Sequence, residues 1–121
     1  MKKLKWNKNL LRIRDVLELD FGIHYDSLLL NYYRDGNDKI GMHWDSEIEK
    51  DSSIASITLG TSRFFDIKHK KTNEKIRLYP DSGDCIIMEY DFQLNYKHGV
   101  PIQKTISEKR INLTYRRDKK H

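Results

Sequence analysis

Two histidines and an aspartate are the residues of this sequence whose types best suit metal chemistry. His43 and Asp45 are two residues apart, so on an extended chain their side chains point to the same face. An imidazole and a carboxylate suit a first-row transition metal, and His98 is a third donor far downstream. Two imidazoles and one carboxylate on one face of an Fe(II) ion leave positions open for a co-substrate and O2. The alternative is that all three are surface or capping residues.

The segment 110–116 offers a second kind of chemistry, the binding of carboxylates. Its residues alternate, so that Arg110, Asn112, Thr114 and Arg116 share one face, and Ile111, Leu113 and Tyr115 share the other. A guanidinium matches a carboxylate through two parallel hydrogen bonds and keeps its charge when partly buried. Two of them suit a dicarboxylate. The alternative is an amphipathic strand whose basic face is simply solvated.

A third pair of polar side chains, Asn31 and Tyr33, lies just before a turn signal at residues 34–38. Spacing of two again places both side chains on one face. They offer an amide and a phenol for polar recognition. Tyrosine is also an ordinary strand residue, so this pair alone carries little weight.

The elements that must position these residues are one helix and many short strands. Apolar residues at helical spacing predict a helix from about residue 7 to residue 21, ending at Gly22. Strands are predicted at residues 27–33, 53–59, 63–68, 75–78, 85–90 and 110–116, with glycine, proline and asparagine between them. Many short strands separated by turns indicate a β-sandwich or barrel, here with a small helical layer.

Length and composition limit the possibilities further. A chain of 121 residues is expected to form one domain, 1–121, with basic tails at about 1–5 and 117–121. The net charge of +5 favours a polyanionic partner weakly. The sequence has no apolar run of about 20 residues for a membrane span and no secretory signal. The single cysteine, Cys85, fits a reducing compartment and an inert core position. We therefore expect an intracellular monomer, in the cytoplasm or nucleus, that contacts no membrane.

Taken together and in order, these motifs resemble the AlkB family of Fe(II)/2-oxoglutarate dioxygenases, in particular the branch that repairs alkylated nucleic-acid bases. The resemblance extends from about Trp6 to Arg116. It rests on Asn31-x-Tyr33-x-Asp35-Gly36, Ile40-Gly41-x-His43-x-Asp45, residues 54–60, Arg63-Phe64-Phe65, Ser82-Gly83-Asp84-x-x-x-Met88, His98-Gly99-Val100-Pro101 and Arg110-x-Asn112-Leu113-Thr114-x-Arg116.

The resemblance implies a mainly β fold, the double-stranded β-helix or jelly roll, with the N-terminal helix packed on it. It also implies that His43, Asp45 and His98 bind Fe(II). Arg110 would pair with the distal carboxylate of 2-oxoglutarate, and Arg116 would help to hold the end that chelates iron. The residues expected to support the same co-substrate are Asn31, Tyr33 and Thr114.

The implied reaction is oxidative demethylation of N-alkylated bases, such as 1-methyladenine and 3-methylcytosine, with O2 as oxidant and formaldehyde as product. Alkylated DNA or RNA would be the partner. Glu47 is a candidate for facing the cationic base, and Trp44 for stacking on it. Arg63 is a candidate phosphate contact. The run 68–71 is a further candidate, although a solvated hairpin explains it as well.

The resemblance begins only at about Trp6, so we expect most of the family's N-terminal nucleotide-recognition lid to be absent. Two alternatives therefore stay open. One is a 2-oxoglutarate dioxygenase that acts on a protein or a small molecule. The other is a non-catalytic jelly-roll module that binds nucleic acid.

Overall fold

Antiparallel strands are the main regular structure of the chain in a computed structural model, which describes residues 2–3 and 7–120. Two helices interrupt them. In chain order the elements are β1 (Lys2–Lys3), α1 (Lys8–Phe21), β2 (Ser27–Tyr33), β3 (Ile40–His43), β4 (Ser53–Gly60), β5 (Phe65–His69), β6 (Lys75–Leu78), β7 (Cys85–Glu89), α2 (Tyr90–Asn95), β8 (Tyr96–Val100) and β9 (Arg110–Arg116).

The strands form two sheets, one of five strands in the order β1-β2-β9-β4-β7 and one of four in the order β3-β8-β5-β6. Side chains from both sheets meet in a core cluster of Ile48, Ile54, Phe65 and Met88. Strands that follow each other along the chain repeatedly fall in different sheets, which is the arrangement of a double-stranded β-helix. The predicted fold class is confirmed.

Helix α1 covers the outer face of the five-stranded sheet. Asn7 caps its first turn by accepting a hydrogen bond from the Leu10 amide at 2.9 Å, and Gly22 ends it in the left-handed conformation, with φ of 68°. Leu17 packs in a second core cluster with Leu28, Ala55, Leu113 and Tyr115. The helix thus buries the apolar face of β9 and leaves the polar face of that strand for the space between the sheets.

Three predictions about individual segments need correction. Cys85 is exposed rather than in the core, because β7 is the edge strand of its sheet. The C-terminal tail is not free, because the Lys119 amide donates to the Glu47 carbonyl at 3.0 Å and the Glu49 amide to the Arg117 carbonyl at 2.8 Å. At the other end Lys2–Lys3 pairs with β2, while residues 1, 4 and 5 of the predicted tail lie outside the described residues.

Within residues 2–3 and 7–120, the helices are all too short or too polar to cross a membrane.

Gly36 lies where two loops meet, in the turn that leads into β3. Its amide donates to the Ile106 carbonyl and its carbonyl accepts from the Gln103 amide, both at 2.8 Å. A Cβ at position 36 would lie only 1.6 Å from the Gln103 carbonyl oxygen. We expect Gly36→Ala to lower the free energy of unfolding by about 3 kcal/mol in urea titrations, because backbone must move to admit the methyl group. Gly41→Ala is the control, since a Cβ there meets nothing within 4 Å. Equal stability of the two variants would contradict this prediction.

Candidate active site

A cavity of about 290 Å³ lies between the two sheets. Most of its walls are apolar, with contributions from Leu29, Ile40, Phe65 and Met88. The sequence singled out eight residues for iron or 2-oxoglutarate, and all of them line this cavity. They are Asn31, Tyr33, His43, Asp45, His98, Arg110, Thr114 and Arg116. The fold therefore brings into one cavity side chains that lie up to 85 positions apart in the sequence, the separation of Asn31 and Arg116.

His43 and His98 are direct partners across the β3–β8 pair. Asp45 follows just past the end of β3. Gly99 keeps these strands close, since a Cβ there would lie 2.8 Å from the Ile40 carbonyl oxygen. One nitrogen or oxygen from each of the three side chains lies within 4.8 Å of the other two. A carboxylate oxygen of Asp45 lies 3.4 Å from Nε2 of His98, and the other lies 3.8 Å from Nε2 of His43.

The hydrogen bond that His43 makes suits a metal ligand. Nδ1 of His43 lies 2.8 Å from the Gly41 carbonyl oxygen, so it carries the proton and leaves a lone pair on Nε2. His98 is buried, and its Nδ1 has no hydrogen-bond partner among the described residues. Two imidazole nitrogens and one carboxylate form a donor set that first-row metals such as Fe(II) accept. The cluster therefore fits such an ion.

Asp45 is held in its charged form. Burial acts to raise the pKa of its carboxyl group, but the hydrogen bond from His98 and the nearby charge of Arg116 outweigh burial and bring the pKa below its usual value. Nη1 of Arg116 lies 3.8 Å from the carboxylate. Asp45 is thus an anion at neutral pH, as a metal ligand must be.

Arg110 places a buried positive charge in the same cavity as the His43, Asp45 and His98 cluster. It is 4% exposed, and burial lowers the pKa of its guanidinium, while the hydroxyl of the neighbouring Tyr33 acts in the opposite direction. Nη2 donates to Thr58 at 3.1 Å, whereas Nε and Nη1 have no hydrogen-bond partner among the described residues. The guanidinium lies 4.8 Å from the ring centre of Tyr33. Unpartnered buried donors on a cation are costly, so this group is well suited to an incoming carboxylate.

The remaining polar residues of the cavity are ordered by the sheet. Asn31 pairs with Asn112, and Tyr33 with Arg110, across β2 and β9. Thr114 donates to Oδ1 of Asn112 at 2.6 Å, and Nδ2 of Asn112 donates to Ser56 at 2.8 Å. Ser56 and Thr58, the partners of Asn112 and Arg110, were not predicted from the sequence to belong to the site. In β4, Ser56 and Thr58 alternate with the apolar residues Ala55, Ile57 and Leu59. This alternation predicts that both polar side chains lie on one face of the strand, and it could have identified them.

The three residues predicted to contact the nucleic acid do not line the cavity. Glu47 is exposed, and its carbonyl holds the C-terminal segment. Trp44 is 46% exposed, but Nζ of Lys70 lies 3.8 Å above its ring, so one face of the indole is already covered. Both stay predictions as substrate contacts.

Arg63 requires a correction, because it is 1% exposed and has no access to a phosphate on the surface. Its guanidinium donates to the carbonyls of Asp35 at 2.9 Å, Asp38 at 2.9 Å and Pro101 at 2.7 Å, and Nε donates to the Gln103 side chain at 3.1 Å. Arg63 therefore joins the turn before β3 to the loop after β8, and these two strands carry His43 and His98.

We expect Arg63→Lys to lower the free energy of unfolding by about 2 to 4 kcal/mol, because several buried carbonyls would lose their donors. Chemical denaturation measures this loss. The salt dependence of oligonucleotide binding should stay as in the wild type, as Arg63 contacts no solvent. A flatter salt dependence at wild-type stability would restore Arg63 as a phosphate contact.

The fold and the donor set define the class of protein. Residues 2–116 match the model of the 2OG-Fe(II) oxygenase superfamily, and the chain belongs to that family, whose defining cofactors are Fe(II) and 2-oxoglutarate. Its curated relatives place it among the AlkB-type members. It is 34% identical over 122 residues to DNA oxidative demethylase ALKBH2 of Bos taurus, covering 93% of this chain and 44% of the relative. It is 32% identical to alpha-ketoglutarate-dependent dioxygenase alkB homolog 3 of Bos taurus, covering 92% and 43%.

The chain spans less than half the length of these curated relatives. The solved structure of OsALKBH1 superposes with a TM-score of 0.65 over 90% of this chain and 60% of the other, at 20% identity. That structural similarity supports the double-stranded β-helix fold described above.

Proposed function

We propose that this chain is an Fe(II)- and 2-oxoglutarate-dependent oxidative demethylase of N-alkylated nucleic-acid bases. One observation carries the proposal. A His-Asp-His cluster with ligand atoms within 4.8 Å of one another shares a cavity with a buried arginine that has two unpartnered nitrogens. A metal and a dicarboxylate are the ligands that these two features suit.

In this proposal His43, Asp45 and His98 hold Fe(II), and Arg110 pairs with the distal carboxylate of 2-oxoglutarate. Bound Fe(II) supplies the activation of O2, which is coupled to oxidative decarboxylation of 2-oxoglutarate to succinate and CO2. Arg116 lies beside Asp45 and contributes positive charge to the metal-proximal end of the co-substrate. Asn31, Tyr33 and Thr114 supply polar groups along the cavity wall.

The exposure of the three metal-site residues indicates the direction from which a substrate approaches. The side chain of His43 is 37% exposed, whereas those of Asp45 and His98 are 12% and 7% exposed. We infer from this difference that a substrate reaches the cavity from the His43 side. A methyl group presented from that side would face the three residues that would hold the metal, and the apolar walls would keep water from the co-substrate.

The charge and the relatives favour a nucleic-acid substrate. The net charge is +5, and two of the relatives are an oxidative demethylase of DNA and an alkB homolog. A methyl group on the pairing edge of a base is accessible only in a single strand or after the base is flipped out. Hydroxylation of the N-methyl carbon gives an unstable product that releases formaldehyde and the free base. With such a substrate the chain would act in the cytoplasm or nucleus.

Formaldehyde release tests this function. The purified chain with Fe(II), 2-oxoglutarate and O2 is expected to release one formaldehyde per methyl group lost from oligonucleotides that contain 1-methyladenine or 3-methylcytosine. The unmethylated oligonucleotide is the control. Turnover of 2-oxoglutarate with no formaldehyde from any methylated DNA or RNA would instead support a protein or small-molecule substrate. Oligonucleotide binding without affinity for 2-oxoglutarate would support a non-catalytic module.

A further inference from the structure

Asp45 lies outside any strand, because β3 ends at His43. The sheet therefore does not fix the main chain that carries this carboxylate. Instead the Asp45 amide donates to Oε1 of Gln93 at 2.8 Å. Gln93 is 48 residues further along the chain, on α2, and is 2% exposed.

The Gln93 side chain is itself held in place. Because the Asp45 amide is a donor, the Gln93 amide must present its oxygen there and turn its NH2 group the other way. That NH2 group lies 3.9 Å from the sulfur of Met88, which belongs to the core between the sheets. The main-chain carbonyl of Gln93 accepts from Nζ of Lys70 at 2.8 Å.

Lys70 connects this arrangement to the segment between the two candidate ligands. Its ammonium group lies 3.8 Å above the ring of Trp44, the residue between His43 and Asp45. The chain from 43 to 45 is thus held at two points, the Trp44 ring by Lys70 and the Asp45 amide by Gln93. Both contacts lead to the same residue of α2.

We propose that Gln93 is the positioning residue for the carboxylate of Asp45. By accepting from the Asp45 amide, Gln93 fixes the position of the main chain at residue 45 relative to the two imidazoles. A carboxylate oxygen of Asp45 would then bind the same metal ion as His43 and His98. The inference rests on the proposed metal centre and adds a residue to it. Without the acceptor on Gln93, residue 45 is free to shift, and Asp45 can pair with Arg116, which is already 3.8 Å away.

Two substitutions separate hydrogen bonding from packing. Gln93→Met keeps the length of the side chain and removes the acceptor. Gln93→Glu keeps an oxygen for the Asp45 amide. Leu94→Ala is the control on the same helix, because Leu94 is 54% exposed and does not line the cavity.

The first measurement is the dissociation constant of Mn(II) for each variant of the full chain, without oxygen or substrate. The second is the melting temperature of the same variants without metal. Gln93→Met is expected to weaken Mn(II) binding about 10- to 100-fold, the usual effect of losing a group that orients a ligand. Leu94→Ala is expected to stay within about threefold of the wild type, and Gln93→Glu, which keeps the acceptor but buries a carboxyl group beside Met88, is expected to lose less Mn(II) affinity than Gln93→Met.

Three results would overturn the inference. They are unchanged Mn(II) affinity in Gln93→Met, equal losses in Gln93→Met and Gln93→Glu, and a loss of affinity that merely follows the melting temperature across all variants. A wild-type chain that binds no Mn(II) would instead remove the metal centre itself. Wild-type Mn(II) binding without demethylation would leave the inference intact and contradict only the proposed substrate.

Discussion

Replacing His43 with alanine is expected to abolish turnover of 2-oxoglutarate while the chain stays folded. The side chain is 37% exposed, so its removal leaves no closed cavity in the core. It does remove one of three donors, and two donors hold a first-row metal far more weakly than three. Succinate formation with Fe(II), 2-oxoglutarate and O2 measures the loss, and circular dichroism measures the fold.

The matched control is His24→Ala. The side chain of His24 is 60% exposed and pairs with Glu18, and it does not line the cavity. We expect this variant to turn over 2-oxoglutarate at the wild-type rate. Turnover by His43→Ala within about tenfold of the wild type would show that His43 is not a ligand.

Replacing Arg110 with alanine is expected to raise the KM for 2-oxoglutarate by roughly 100-fold or more. Removing one partner of a buried, hydrogen-bonded charge pair costs about 2 to 5 kcal/mol, much of it because the other charge is left unpaired. Steady-state kinetics at varied 2-oxoglutarate measures this effect. Mn(II) affinity in the absence of 2-oxoglutarate should be unchanged, since Arg110 is not one of the three donors.

Arg77→Ala is the control for removal of an arginine. Arg77 pairs with Asp66 at 2.6 Å on the exposed strand β6, and it does not line the cavity. Its loss should leave the KM unchanged. If both variants changed the KM equally, general electrostatic attraction rather than a specific pair with Arg110 would explain co-substrate binding.

Local patterns were enough to predict several elements at the correct residues. Helix α1 begins and ends at its capping residues, Asn7 and Gly22, and caps are properties of a few neighbouring residues. Strands β2, β6 and β9 also agree with the predicted ranges, because each has a clear run of β-branched, apolar or alternating residues. The β-rich fold followed from these same signals.

Elements defined by distant contacts were not predictable in this way. Helix α2 has six residues, too few for a helical repeat to show, and it runs directly into β8. Strand β3 has four residues and includes a register shift, so alternation is weak there. These are the elements that hold Gln93, His98 and His43, and their pairing required the structure.

Burial was the other quantity that the sequence left open. The polar face of β9 was equally consistent with a solvated surface, yet Arg110, Asn112 and Arg116 are buried because the second sheet covers them. Arg63 is a second case of burial that the sequence did not reveal. Its charge suggested a phosphate contact, whereas the surrounding backbone carbonyls place it in the interior.

The most direct measurement of the central claim is a crystal structure obtained without oxygen, with Mn(II) in place of Fe(II) and with 2-oxoglutarate. Our account predicts one metal ion bonded to His43, Asp45 and His98, with the far carboxylate of 2-oxoglutarate on the guanidinium of Arg110. A metal ion bonded elsewhere, or 2-oxoglutarate bound away from Arg110, would contradict it.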